Sequence, residues 1–196
     1  MQRRPVVLVH GIYDDAGAFD VMRADLESRG AVTSAVSLSP NNGDASIVVL
    51  AAQLSAHVEA LCARHDVPKV DVVAFSLGGL VARHFLQRLG GARRAERFVC
   101  VSSPHRGTLA GHFLQNAVAR ELRPGSDFLA DLNRDWSVTA EQLEVTSIWT
   151  PFDAIIVPAH SSRLDGAHDV QLPVLLHPWM LTDARSLRAV AGALGL

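Results

Sequence analysis

Two cysteines in 196 residues, Cys62 and Cys100, are too few for a disulfide scaffold, and both lie among apolar neighbours. Each reads as a small buried hydrophobe, so neither a designed cross-link nor cysteine chemistry is expected. Excess charge is lacking too. Eighteen Lys and Arg stand against 20 Asp and Glu, a formal net charge of −2, and basic residues gather only in pairs such as Arg93-Arg94. A polyanion needs a basic stripe, so nucleic acid is not an expected partner. No His/Asp/Glu group has coordinating spacing, so neither a metal nor any other cofactor is expected. No long apolar stretch with a cleavage site precedes Val6-Val7-Leu8-Val9, and that run is too short to be a membrane span. As it stands the chain is expected in the cytoplasm, or outside the cell if a leader was removed ahead of Met1. Repeats, linkers and low-complexity segments are also lacking.

What is present is a chain 48% hydrophobic and 19% charged, enough for the core of one domain over 1–196. Strand-like runs alternate with helical ones. Residues 5–10 read as a buried strand, 18–29 as a helix ending at Gly30, and 31–38 as a second strand closed by Ser39-Pro40-Asn41-Asn42-Gly43. Ile47, Leu50, Ala51, Leu54, Val58, Leu61 and Cys62 repeat at helical spacing; 69–75 reads as a strand, 77–89 as a helix and 97–101 as a strand. Single helices between strands predict an α/β fold, a mainly parallel sheet with helices on both faces. The rhythm breaks between Pro104 and Gln142 into helical pieces at 109–123 and 126–134, so 105–142 is either a small cap or an extended crossover. Strands at 143–149 and 168–172 and a helix at 183–194 close the chain.

In a parallel sheet, residues just beyond the carboxyl ends of strands share one crevice. Four such ends carry reactive groups: His10-Gly11-Ile12, Ser76, Asp153 and His177. The order Ser, Asp, His is that of the α/β-hydrolases. Ser76 lies in Val73-Ala74-Phe75-Ser76-Leu77-Gly78-Gly79, a strand-to-helix turn close to Gly-x-Ser-x-Gly, with Ala74 at the first glycine position. Bulk on either side of such a turn would clash; Ala74 adds one methyl group there and Gly78 none. A serine hydroxyl needs an imidazole base, and the base needs an acid to hold its tautomer. Of nine histidines, His177 alone follows the last strand. Asp153 directly follows the strand at 143–149 and is preferred to Asp165 and Asp169, which read as solvated loop residues. The backbone amides of Leu77 and Ile12 are the expected oxyanion donors, each worth about 3 kcal/mol when removed. Tyr13, Phe19, Ile155, Ile156, Val157, Trp179 and Met180 lie near these ends, either lining an acyl groove or filling the core.

These motifs resemble those of the α/β-hydrolases in the small bacterial lipase group, lipase class 2, and related esterases. Val7 to Ile12 is similar to that family's oxyanion loop, Lys69 to Gly79 to its serine elbow, Ser102 to Thr108 to a lipase turn, and Ser162 to Leu172 to the approach to its histidine. The resemblance implies that Ser76, Asp153 and His177 act as nucleophile, acid and base, and that the chain hydrolyses carboxylic esters through an acyl-enzyme. Its partner would be a small ester or lipid, met in passing contact with a lipid surface. Phe75 in place of a histidine, Leu175-Leu176 before His177, and the length of 105–142 depart from the pattern. A thioesterase or lactonase would use the same residues, and a non-catalytic binding protein of hydrolase fold is the alternative of another class.

Overall fold

A computed structural model describes residues 4–113 and 115–196. Met1 to Arg3, on which the reading of the start rests, and Leu114, within the expected helical piece 109–123, lie outside the described residues. In chain order the elements are β1 (Val6–Val9), α1 (Asp20–Ser28), β2 (Thr33–Val36), α2 (Ile47–His65), β3 (Val70–Phe75), α3 (Leu77–Arg88) and β4 (Ala95–Val101). They continue with α4 (Ala117–Glu121), α5 (Asp127–Arg134), α6 (Trp136–Ala140), β5 (Glu144–Trp149), β6 (His168–Gln171) and α7 (Ala184–Ala193).

The strands form one sheet in the order β2-β1-β3-β4-β5-β6, parallel throughout. Successive strand residues point to opposite faces, so each buried strand feeds two cores. Val7, Val9, Val72, Ala74, Phe98 and Cys100 pack with α2 and α3, while Val6, Leu8, Val73, Phe75, Val99 and Val101 pack with α1 and α7. That double burial explains why β1, β3 and β4 read as apolar runs. Strand order reverses between β1, whose successor β2 lies on one side, and β3, which lies on the other. The crevice of such a sheet opens at this switch point. In register, Val9 is opposite Ala74, which brings His10-Gly11 beside Phe75-Ser76.

Local chemistry accounts for two departures from the sequence reading. The expected helix at 109–123 is a 3-10 turn, Leu109–His112, followed by the separate helix α4. Thr108 Oγ1 caps the turn by accepting from the Ala110 N–H, and Asn116 Oδ1 caps α4 by accepting from the Ala119 N–H. A capping side chain in mid-run starts a new helix. Asp169 is exposed, but it belongs to a strand and not to a loop. It lies in β6, accepts from Trp149 Nε1 at 2.9 Å and pairs with Arg163 at 3.2 Å. Asp165 is exposed as expected and pairs with Arg106.

Helices α5 and α6 lie along α3, held by polar side chains of that helix. Arg83 is fully buried; it donates to Asn133 Oδ1 at 3.0 Å and to the Leu132 carbonyl at 2.8 Å, and its guanidinium stands 4.8 Å from the Trp136 ring. Burial lowers it to about 10, still charged at neutral pH. Arg88 reaches Asp131 and Asp135, both at 2.9 Å.

His105 is 1% exposed, with both ring nitrogens unpartnered among the described residues. Burial first, then the charges of Arg83 and Arg106, push it well below its ordinary 6.5. The unfolded chain therefore takes up a proton near pH 6.5 that the folded chain refuses. Stability from the neutral ring is present above that pH and lost below it, by about 1.4 kcal/mol per pH unit. Urea midpoints measured from pH 8 to 5 should fall more steeply for the wild type than for His105→Gln; parallel profiles would show that the ring takes no part.

Candidate active site

Ser76 joins β3 to α3 with φ 53° and ψ −125°, a combination side-chain-bearing residues rarely adopt. Its N–H donates to the Val101 carbonyl of β4 at 2.9 Å, and its carbonyl accepts from the Gly79 N–H at 3.0 Å. These bonds hold the strained residue while α3 begins at once. A Cβ on Gly78 would lie 2.6 Å from the His10 carbonyl oxygen and nearer still to that of Val9; one on Gly79 would strike the Ser103 side chain. Ala74 is fully buried in the layer beneath α3, where a methyl group fits. The Leu77 N–H opens the helix and has no partner among the described residues, as expected of a first-turn amide.

His177 opens a 3-10 turn after β6, and Asp153 lies in the loop after β5. Nδ1 of His177 is 2.7 Å from Asp153 Oδ2, and the two side chains are 9% and 1% exposed. The other carboxylate oxygen, Oδ1, accepts from the N–H groups of Ile155 and Ile156, both at 2.9 Å. A carboxylate has no hydrogen to give, so Nδ1 carries the proton and Nε2 is left as the acceptor. Thr150 Oγ1 ties the acid loop to the histidine approach by donating to the Val174 carbonyl. Among the described residues the Ser76 hydroxyl has no hydrogen bond to either partner. What brings the imidazole to the elbow is Phe75, whose ring centroid is 4.7 Å from that of His177 with the planes 36° apart.

The loop after β1 is pinned on both sides. The Leu38 N–H donates to His10 Nε2 at 2.9 Å, so the imidazole hydrogen is on Nδ1, which donates to the Gly11 carbonyl at 2.8 Å. Tyr13 is left-handed at φ 64°, its N–H donating to the Asn41 carbonyl at 2.7 Å, and Asn41 Nδ2 donates to the Asp14 carbonyl at 2.8 Å. The Ile12 N–H has no partner among the described residues. A Cβ on Gly11 would stand 3.1 Å from both Ser76 Cβ and Asp14 Oδ2, so the first loop reaches the serine.

Of the residues considered for an acyl groove, Phe19, Ile156 and Met180 are core, whereas Tyr13, Ile155, Val157 and Trp179 are exposed. Leu109, Phe113, Phe152 and Leu175 add exposed apolar surface beside the same loops. Phe75, which the sequence marked only as a departure from the family pattern, packs on the imidazole itself. Two contributors escaped the sequence reading: Thr108 Oγ1 donates to the Ile155 carbonyl at 2.8 Å and accepts from the Val157 N–H at 3.0 Å, and the Asp14 carboxylate borders Gly11 as the Ser76 side chain does. Of these two only Asp14 had a signal, as the first of two acids closely following His-Gly.

Comparison with known proteins agrees with this architecture. The family model for palmitoyl protein thioesterase matches residues 5–141, a stretch that holds the loop after β1 and the serine elbow and stops short of Asp153 and His177. Among solved structures, Bacillus licheniformis lipase BlEst2 in mature form superposes with a TM-score of 0.83 at 15% identity, over 98% of this chain and 92% of that one. Lipase B of Aspergillus fumigatus gives 0.82 at 16% identity over 99% of this chain, which spans only 53% of the fungal chain. A thermophilic esterase from Thermogutta terrifontis gives 0.67 at 15% identity, over 98% and 89%. The α/β-hydrolase resemblance read from the motifs therefore holds, and the matching model is that of a thioesterase, the alternative acyl chemistry raised from the sequence. With a parallel six-stranded sheet, a strained serine at its switch point and this match over most of its length, the chain belongs to the palmitoyl protein thioesterase family and is a serine ester hydrolase of α/β-hydrolase fold.

Proposed function

We propose that this protein cleaves esters of apolar carboxylic acids through an acyl-enzyme on Ser76, with His177 as base and Asp153 as acid. The observation that carries this reading is the buried Asp153–His177 pair, which leaves Nε2 of an imidazole packed against the serine elbow as a free acceptor. Ser76 Oγ attacks the carbonyl carbon while its proton passes to Nε2, and Asp153 stabilises the imidazolium. The oxyanion is received by the N–H groups of Leu77 and Ile12. Collapse breaks the bond to the leaving group, which takes the proton from His177; water then enters by the same route and releases the acid.

His10 supports the oxyanion site as a positioning residue. Within one planar peptide the carbonyl and the N–H point in opposite directions. Holding the Gly11 carbonyl on the His10 side therefore turns the Ile12 N–H away from it, towards the side on which Gly11 meets Ser76. The exposed Tyr13, Phe113 and Leu175, at 61%, 85% and 61%, favour an apolar acyl chain over a polar one. A thioester substrate is a second reading favoured by the family match, since a thiol leaving group uses the same groups.

Two experiments test this. Nitrophenyl esters and acyl-coenzyme A thioesters of matched chain length should be turned over by the wild type, with Ser76→Ala lowering kcat by about 10³-fold or more and abolishing fluorophosphonate labelling; equal labelling of the variant would remove Ser76 from the mechanism. The ratio of oxygen ester to thioester turnover decides between the two readings. His10→Ala should lower kcat by about 10²-fold with little change in KM, the signature of a misaligned oxyanion donor. A rise in KM at constant kcat would place His10 in substrate binding instead.

A further inference from the structure

Asp14 has no place in the mechanism above, yet its carboxylate borders the same glycine, Gly11, as the Ser76 side chain. Its Oδ2 and the Cβ of Ser76 are each 3.1 Å from one point, the place a Gly11 side chain would occupy. The left-handed turn at Tyr13 and the two hydrogen bonds of Asn41 fix the backbone that carries it there. The titratable groups within its electrostatic reach are His10, His177 and Asp15, and no ion pair among the described residues includes it. Both histidines are hydrogen-bonded through Nδ1 to an oxygen and both favour the Asp14 carboxylate against the burial that opposes it, while no Lys or Arg is among these neighbours. Arg and Lys side chains neutralise many other carboxylates in this protein, Asp71, Asp131 and Asp135 among them.

We propose that Asp14 is a specificity-determining residue: its half-buried carboxylate, which no Lys or Arg among the described residues pairs, makes the site prefer esters bearing a positive charge near the scissile bond and reject those bearing a negative one. The inference rests on Ser76 being the nucleophile, because the Gly11 contact measures the position of Asp14 from that serine. A unit charge on a substrate close to the scissile carbonyl meets this carboxylate across a partly desolvated crevice, where Coulomb energies correspond to about a tenfold change in rate. Neutral acyl chains with neutral leaving groups are indifferent to it. The carboxylate product of hydrolysis is repelled, which assists its departure. Burial raises the Asp14 pKa from its ordinary value, so the assay is run at pH 8 to favour the carboxylate.

The test uses three butyrate esters of similar size: butyrylcholine, its neutral isostere 3,3-dimethylbutyl butyrate, and the anionic 3-sulfopropyl butyrate. For the wild type, kcat/KM normalised to the neutral ester should be higher for the cation and about tenfold lower for the anion. Asp14→Asn should bring both ratios towards one, and 0.5 M NaCl should narrow them in the wild type but not in the variant. The salt series needs only wild-type protein, so it decides the matter even if the variant folds poorly. Ratios that are the same in wild type and variant, or insensitive to salt, with the esters still cleaved, would overturn the charge preference alone. If the wild type cleaves none of the three and Ser76 fails to react with fluorophosphonate, the hydrolase reading falls and takes this inference with it.

Discussion

The carboxyl end of the sheet depends on how closely α3 approaches the last carbonyls of β1. Gly78 permits that approach, since any side chain there would enter the carbonyl oxygens of Val9 and His10. With the helix pressed against the strand, the turn between β3 and α3 has no room to relax, and Ser76 is held at φ 53°. Strain of this kind costs on the order of 1–3 kcal/mol and persists only where packing over-determines it. Here the over-determination comes from three strands at once: β1 beneath Gly78, the backbone of β3, and the Val101 carbonyl of β4 on the Ser76 N–H. The same approach sets the loop after β1 beside the serine, so Ile12 and Leu77, whose amides have no partner among the described residues, belong to the two turns that meet there.

Around this fixed point the other groups are aligned by hydrogen bonds that leave little freedom of tautomer. Asp153 is satisfied on one oxygen by two backbone amides and gives the other to His177; His10 is satisfied on one nitrogen by Leu38 and gives the other to Gly11. Each imidazole thus has one protonation pattern that suits its neighbours, set by groups that can only donate or only accept. The apolar contact of Phe75 with His177 does the remaining positioning. On the far face of α3, Arg83 and Arg88 bind α5 and α6 without touching this arrangement.

Much of this was legible in the chain. Mostly apolar strands such as Val70 to Phe75, interrupted only by Asp71, announce burial on both faces, and helices of period 3.6 between them point to a parallel sheet. Ser76, Asp153 and His177 stand out because each follows a strand, and in a parallel sheet those ends converge. The segment after Pro104 was read less well: Thr108 and Asn116 are ordinary polar residues until their hydroxyl and amide are seen to cap separate turns. Asp169 was set among loop residues although 168–172 reads as a strand, because polarity does not reveal its bond to Trp149; Phe75 stood out only as a departure from the family pattern, because an apolar residue in an apolar strand carries no mark of the histidine it will meet 102 positions later.

The sequence by itself determined the class of fold, the order of strands and helices, and which residues lie just past strand ends, because these follow from periodicity and from turn residues close in the chain. Only the tertiary structure decided what those residues face. That Asp14 and Ser76 border the same glycine, that His10 carries its hydrogen on Nδ1, and that the Asp153 carboxylate spends one oxygen on its own loop are consequences of strand register and loop closure. Such contacts join residues far apart in sequence through distances of a few ångströms, and no local pattern encodes a distance.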